Sequence, residues 1–92
     1  MTDRNARFYS ANLGADVMRC AVAAEKRDIA EYEASLVRAR HTLVYLHNAG
    51  RLEYYEEGLL LIRTLEYARI SGELESFRKN LNQLITPLVV NM

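Results

Sequence analysis

A seven-residue repeat of apolar side chains is the feature that most constrains the fold of this 92-residue chain. The repeat begins at Phe8 and holds to Leu46, and Glu25 is the only charged residue in it. Such a repeat, sustained over several heptads, is typical of one long helix that packs a narrow seam against another helix. It therefore predicts a first helix over about residues 8–48. Its two series are Phe8, Ala15, Val22, Ile29, Leu36 and Leu43, and Ala11, Met18, Glu25, Tyr32, Ala39 and Leu46.

The apolar pattern resumes directly after a glycine corner. Gly50 stands where a helix needs a residue of positive φ just past its end, so a corner is predicted at residues 48–51. A second helix is predicted over about residues 52–86, because Pro87 cannot continue the hydrogen-bond ladder, and residues 87–92 are expected to form a short tail. Its inward stripes are Leu52, Tyr55, Leu59 and Ile62, then Tyr67, Ile70, Leu74, Phe77, Leu81, Leu84 and Leu88.

One position in the second helix allows two structures. Ser71 could cap a third helix at a true break, or Gly72 could be an interior glycine that permits close packing. We favour a continuous or gently kinked helix and keep the break as the alternative.

The composition supports a single all-α domain over residues 1–92. Glycine and proline are scarce, at four and one residues, so local propensity favours helix almost throughout. A short corner between two long helices forces them to lie antiparallel, as a helical hairpin. A chain this small has a limited core, which favours self-association or a partner.

The predicted hairpin has more apolar faces than two helices can bury against each other. If these faces met water they would form a patch that soluble monomers rarely leave open. We therefore expect a homodimer that forms a four-helix bundle, with a different helical protein as a rival. A third helix after Ser71 that fills the face within one monomer is the remaining alternative. The surplus residues are Tyr54, Gly58, Leu61, Leu65, Ala68 and Gly72 on helix two, and Leu13, Val17, Cys20, Ala24, Val37, Val44 and Tyr45 on helix one.

This surplus surface predicts a protein–protein interaction module that works as an adaptor, a chaperone, or an inhibitor or regulator. Besides itself, the expected partner is a protein that the sequence does not identify. The expected contact residues are Tyr54, Leu61, Leu65 and Ala68 on the second face, Val37 and Val44 on helix one, and Tyr45, Tyr55 and Glu57 at the tip.

Glu25 is a candidate for fixing helix register and partner choice, because a polar group in an apolar seam can do so. Folding the chain about Ala49 places Arg78 and Lys79 within reach of its carboxylate. The alternative is that the seam drifts and Glu25 lies in water at its edge.

The charge distribution argues against a polyanion partner held by bulk charge. Acidic and basic residues number twelve each, and they are mixed along the chain rather than collected in blocks. The alternative function is a helical dimer that binds nucleic acid through Arg38, Arg40 and Arg51. Acids near these arginines reduce the local field, so nucleic acid is not the favoured partner.

No motif indicates an enzyme, so we expect no catalytic residue, cofactor, metal ligand or small-molecule substrate. His41 and His47 are too far apart on one helix to share a metal, and neither belongs to a zinc or di-iron motif. The chain has no glycine-rich phosphate loop, nucleophile elbow or cysteine pair.

The sequence predicts a cytoplasmic protein with no membrane partner. Cys20 is the only cysteine, which fits a reducing compartment. The first residues have no apolar segment of the kind a secretory signal contains. The longest strongly apolar run, Leu59 to Ile62, is far shorter than the roughly 20 residues that a membrane span needs.

The segment LHNAGRLEYYEEGLLLIRTLEYAR, from Leu46 to Arg69, resembles the helix-turn-helix unit of tetratricopeptide repeats. The resemblance covers about a quarter of the chain, and the sequence has no second copy. Solenoid units need neighbours to bury their faces, and the helix predicted before Leu46 is longer than one unit allows. The resemblance therefore carries no fold or function to this chain.

Overall fold

The chain is an all-α helical bundle, as the sequence predicts. The computed structural model describes the backbone of residues 3–90 and the side chains of residues 5–83. Within that part the chain forms four α-helices and no strand. The helices are α1 (Asp3–Glu25), α2 (Ile29–Asn48), α3 (Leu52–Ser71) and α4 (Leu74–Val90).

Helices α1 and α3 each contact all three of the other helices, and α1 packs most extensively against α2. Helices α2 and α4 do not touch each other among the described residues. The contact between Tyr9 and Tyr45, and the close approach of Gly58 to Leu43, show that α1, α2 and α3 run alternately up and down. One chain thus forms the four-helix arrangement that was expected from two copies of a hairpin.

The core lies between α1 and the inward faces of the other helices. It combines the large rings of Tyr32 and Phe77 with medium and small apolar side chains, and the small residues allow the helix backbones to approach closely. Its buried members are Ala6, Leu13, Val17, Cys20, Ala21, Ala23, Tyr32, Ala39, Leu43, Leu46, Ile62, Leu65, Ala68, Phe77 and Leu81.

The predicted continuous first helix, residues 8–48, is wrong, because the chain turns back at Lys26 to Asp28. Arg27 adopts a left-handed conformation with φ of 61°. The amide of Asp28 donates to the carbonyl of Ala23 at 2.8 Å, and the amide of Arg27 donates to that of Ala24 at 3.1 Å. These two bonds form the Schellman motif that usually closes on glycine.

Helix α2 begins directly after this turn because Asp28 caps it. The Asp28 carboxylate accepts a hydrogen bond from the backbone amide of Glu31 at 3.1 Å. An acidic or hydroxyl residue followed three positions later by glutamate is the sequence signature of a helix start. The apolar heptad pattern continues through residues 26–28 without interruption, so it predicts one helix where the chain forms two.

Replacing Arg27 with glycine is expected to raise the free energy of unfolding by about 0.5–1 kcal/mol. A left-handed conformation costs an L-residue about 1–2 kcal/mol, and the greater chain entropy of unfolded glycine offsets part of that gain. Urea denaturation of R27G and of the control K26G checks this, since Lys26 has no positive φ and its replacement by glycine should only destabilise. Equal losses of stability in both variants would show that Arg27 is not strained.

The glycine corner between α2 and α3 is confirmed. Gly50 has φ of 74°, and the amide of Arg51 donates to the carbonyl of Leu46 at 3.0 Å. The favoured continuous helix over residues 52–86 is wrong, because Gly72 has φ of 78° and ends α3, and the alternative of a break is confirmed. Ser71 is the last residue of α3 and does not cap the next helix. Among the described residues, α1, α2 and α3 each end at a residue of positive φ, which is Arg27, Gly50 and Gly72 respectively.

The predicted end of the last helix at Thr86 is wrong, because α4 continues through Pro87 to Val90. A proline removes one hydrogen bond of the ladder and does not prevent the others from forming. The side chains of Leu84 and Leu88, which belong to the predicted inward stripe, lie outside the described residues.

The face that was expected to need a second copy is filled by the chain itself. Because α1 folds back on α2, the residues Leu13, Val17 and Cys20 become core, and they pack in the same cluster as Leu65 and Ala68. The prediction that these five residues require an external partner is therefore wrong, whereas Val37, Val44 and Tyr45 of the same predicted surplus stay exposed.

Candidate functional site

The predicted contact residues separate into three groups in the structure. Leu65 and Ala68 are buried within the chain, so their assignment to an outward contact face is wrong. Tyr54, Tyr55 and Leu61 are partly buried against the core. The remaining four, Val37, Val44, Tyr45 and Glu57, are exposed.

Compared with the predicted hairpin, α3 is rotated about its axis so that Leu65 is buried and other apolar residues are exposed. Leu60 and Tyr67 are 65% and 67% exposed, and Ile70 is 86% exposed. Tyr67 and Ile70 were predicted to face inward, which is wrong, and Leu60 was not assigned to any face. Because Leu60 and Tyr67 are seven residues apart, they lie on the same side of α3.

Leu60 and Tyr67 border an apolar groove between α3 and α4. The groove has a volume of about 260 Å³, and apolar atoms form most of its surface. Phe77, Leu81 and Ala68 are almost fully buried and form its floor. The complete lining is Leu60, Leu61, Thr64, Tyr67, Ala68, Glu73, Ser76, Phe77, Asn80 and Leu81.

Short side chains keep this groove open. Thr64, Ala68 and Ser76 lie among the larger apolar groups and leave space that longer side chains would fill. Asn80 and Ser76 carry hydrogen-bonding groups that have no partner among the described residues. The groove thus combines an apolar floor with a few polar groups, a composition that ligand and peptide sites share.

The predicted contact between Glu25 and Arg78 is confirmed. Nε of Arg78 donates to a carboxylate oxygen of Glu25 at 2.9 Å, which joins the end of α1 to α4. Both side chains remain partly exposed, and pairs of this kind contribute about 0–1 kcal/mol. The role of Glu25 in fixing helix register and partner choice stays a prediction.

The three arginines of the nucleic-acid alternative do not form one surface. Arg38 donates to Asp16 on α1 and to Glu31 on its own helix, whereas Arg40 donates to Glu66 on α3. Arg51 is partly buried at the corner between α2 and α3. Arg38 and Arg40 therefore have different neighbours and carry acidic partners.

The two histidines also have separate surroundings. His47 packs edge-to-face against Tyr55, with ring centroids 4.9 Å apart, and His41 is exposed on α2 on the side that faces α1. No group of three or more histidine, cysteine, aspartate or glutamate side chains converges among the described residues.

Two buried titratable groups belong to the core. Burial, with a smaller contribution from Asp16, raises the pKa of the Cys20 thiol to about 11. The thiol therefore stays protonated and unreactive at neutral pH. Burial also raises the pKa of the Tyr32 phenol, while the guanidinium of Arg69, 4.5 Å from the ring centroid, opposes that rise.

Among the described residues, no helix is long and apolar enough to span a bilayer.

Comparison of the chain with models of protein families, with curated proteins and with solved structures found no match.

Proposed function

We propose that this protein is a non-enzymatic interaction module that binds an amphipathic helix of another protein in the groove between α3 and α4. The observation that carries the proposal is the exposure of Leu60 and Tyr67 beside a groove with an apolar floor. Large apolar side chains that stay in water around a groove mark interaction sites. Adaptor, chaperone and inhibitor or regulator remain the roles that such a module would serve.

A helix is the occupant that fits this groove best. Its walls are two helices, so its length follows α3 and α4, and an amphipathic helix can place residues i, i+3 or i+4, and i+7 along it. Leu60 and Tyr67 are spaced by two helical turns, which matches that repeat. Thr64, Ser76 and Asn80 would meet the polar flank of the incoming helix.

A selection from a library of displayed helical peptides tests this proposal. Peptides that bind the wild-type chain should share an apolar i, i+3/i+4, i+7 pattern. The double variant L60S/Y67S should bind the selected peptides at least tenfold more weakly, because anchors at the centre of an interface each contribute more than about 1 kcal/mol. Fluorescence anisotropy of the labelled peptides measures the affinity.

The matched control is V37S/V44S on α2. Val37 and Val44 are 52% and 56% exposed, so this pair removes exposed apolar side chains away from the groove. It should change the affinity by less than twofold. If the control weakens binding as much as L60S/Y67S does, the groove is not the docking site and the earlier assignment of Val37 and Val44 is favoured.

A second copy of the chain is the competing occupant. Sedimentation of the wild type over a range of concentrations distinguishes it from a different protein. A dimer that forms with rising concentration and is abolished by L60S/Y67S would assign the groove to self-association and contradict a different partner. A cytoplasmic location is part of this proposal and rests on the sequence alone.

A further inference from the structure

The apolar groove between α3 and α4 is acidic at the end where the two helices join. Glu73 directly follows the turn at Gly72, and among the described side chains that line the groove it is the only charged one. It is exposed and makes no ion pair within the part of the chain that the structure describes. A carboxylate that stays in water beside an apolar groove favours a cation on the molecule that binds there.

The two basic residues of α4 do not neutralise Glu73, because each is paired with another acid. Lys79 lines a depression beside the α3–α4 connection together with Glu73 and Glu75, and its ammonium lies 3.2 Å from a carboxylate oxygen of Glu75. Arg78 pairs with Glu25 of α1 at 2.9 Å. The connection therefore keeps a net negative charge at Glu73.

The opposite end of the groove is acidic as well. Glu57 lies three and four residues before Leu60 and Leu61, which line the groove, so it is on the same side of α3 one turn earlier. Its side chain is exposed. Arg63 is the only basic residue within residues 52–68, and it is not part of the lining. Acidic groups thus lie at both ends of an apolar floor.

We propose that the helix that binds in this groove carries basic residues at both ends of its apolar face. This inference rests on the proposed function, because it assigns the charge of the partner at the same groove. A lysine or arginine near each end of the bound helix pairs with Glu57 or Glu73, which are separated by about 20–25 Å along α3, or about four helical turns. The apolar residues between these ends cover the floor at Phe77 and Leu81.

The same charges disfavour other occupants of the groove. A helix with acidic ends would place like charges beside Glu57 and Glu73, and a nucleic acid or an anionic membrane would meet the same repulsion. Charge complementarity of this kind acts mainly on specificity and on the association rate. The apolar contacts therefore supply most of the affinity, and the two acids select basic helices among amphipathic ones.

A peptide library with randomised flanks tests this inference. Each displayed helix has the apolar i, i+3/i+4, i+7 pattern, and the positions at both ends of that pattern carry lysine, glutamine or glutamate in equal proportion. Peptides that bind the wild-type chain at low salt should be enriched in lysine over glutamate at least fivefold at both ends. Equal recovery of the three residues, in peptides that lose affinity for L60S/Y67S, would overturn the charge assignment and leave the proposed function intact. Recovery of no peptide that depends on Leu60 and Tyr67 would contradict both.

A conservative substitution tests Glu73 directly. E73Q removes the charge and keeps the shape, so it should weaken a lysine-flanked peptide about three- to fivefold at low salt and leave its glutamine-flanked version unchanged. The matched control E33Q removes the same charge on α2, which does not touch α4 among the described residues, and should change neither affinity. Circular dichroism checks the fold of both variants. Equal affinities of E73Q and the wild type for the lysine-flanked peptide would overturn the proposal.

Discussion

Replacement of Leu65 by alanine is expected to lower the free energy of unfolding by about 3–5 kcal/mol. Leu65 is fully buried and packs in the same core cluster as Leu13 and Ile62. Truncation removes the transfer free energy of its methyl groups and leaves a cavity that the surrounding helices can close only in part. This loss is a large share of the total, because a domain of this size has a free energy of unfolding of only about 5–15 kcal/mol.

The matched control is L60A on the same helix. Leu60 is the same residue type but is mostly exposed, so its truncation should cost less than about 1 kcal/mol. Urea denaturation with a shared m-value measures both variants. If L65A costs no more than L60A, then Leu65 faces outward, as the hairpin interpretation expected, and the packing of α3 described here is wrong.

Replacement of Gly58 by valine should destabilise the protein by about 2–3 kcal/mol, because α3 approaches α1 and α2 closely at this residue. A Cβ atom at Gly58 would lie 2.8 Å from one methyl carbon of Leu13 and 3.0 Å from one of Leu43. Both leucines are buried and can move only by displacing other core groups. The slightly better helix propensity of valine does not offset that strain.

A double-mutant cycle identifies the contact that is responsible. L13A removes the closest methyl group, so L13A/G58V should lose less stability than the sum of the two single variants. Urea denaturation of the wild type, L13A, G58V and L13A/G58V measures the four free energies of unfolding that the cycle needs. An increase of stability in G58V, as expected for a glycine on an exposed helix face, would contradict the close approach of α3 to α1.

The helical class and the corner at Gly50 were predictable because their causes are local. Scarce glycine and proline favour helix, and a glycine of positive φ ends one. The Glu25–Arg78 contact was also predicted, although from a different arrangement of helices. It forms because both residues lie near helix ends that the bundle brings together.

The turn at Arg27 was not predictable from glycine and proline, because a Schellman motif closed there on an arginine. The usable signal was Asp28 with Glu31, which caps α2. Without this turn, the predicted inward and outward faces of the later helices are those of a two-helix hairpin. This error placed Leu65 outside and Tyr67 inside, so the groove between α3 and α4 could not be anticipated.

The candidate sites depend on contacts between residues distant in sequence. The groove between α3 and α4 forms because burial of Leu65 turns Leu60 and Tyr67 outward. The contact between Tyr9 and Tyr45 forms because α1 lies against α2. Neither of these helix contacts can be predicted from the composition of one segment or from the spacing of its apolar residues. Each follows from the way four helices share a single core.

The most direct test of this account measures whether Tyr9 contacts Tyr45 within one molecule. Nuclear Overhauser effects recorded on a mixture of isotope-labelled and unlabelled protein separate contacts within a chain from contacts between chains. The fold described here predicts an effect between the two rings, whose centroids lie 4.2 Å apart, within the labelled chain. A continuous first helix would hold the rings roughly 54 Å apart. An effect seen only between chains, or none at all, would contradict the single-chain bundle.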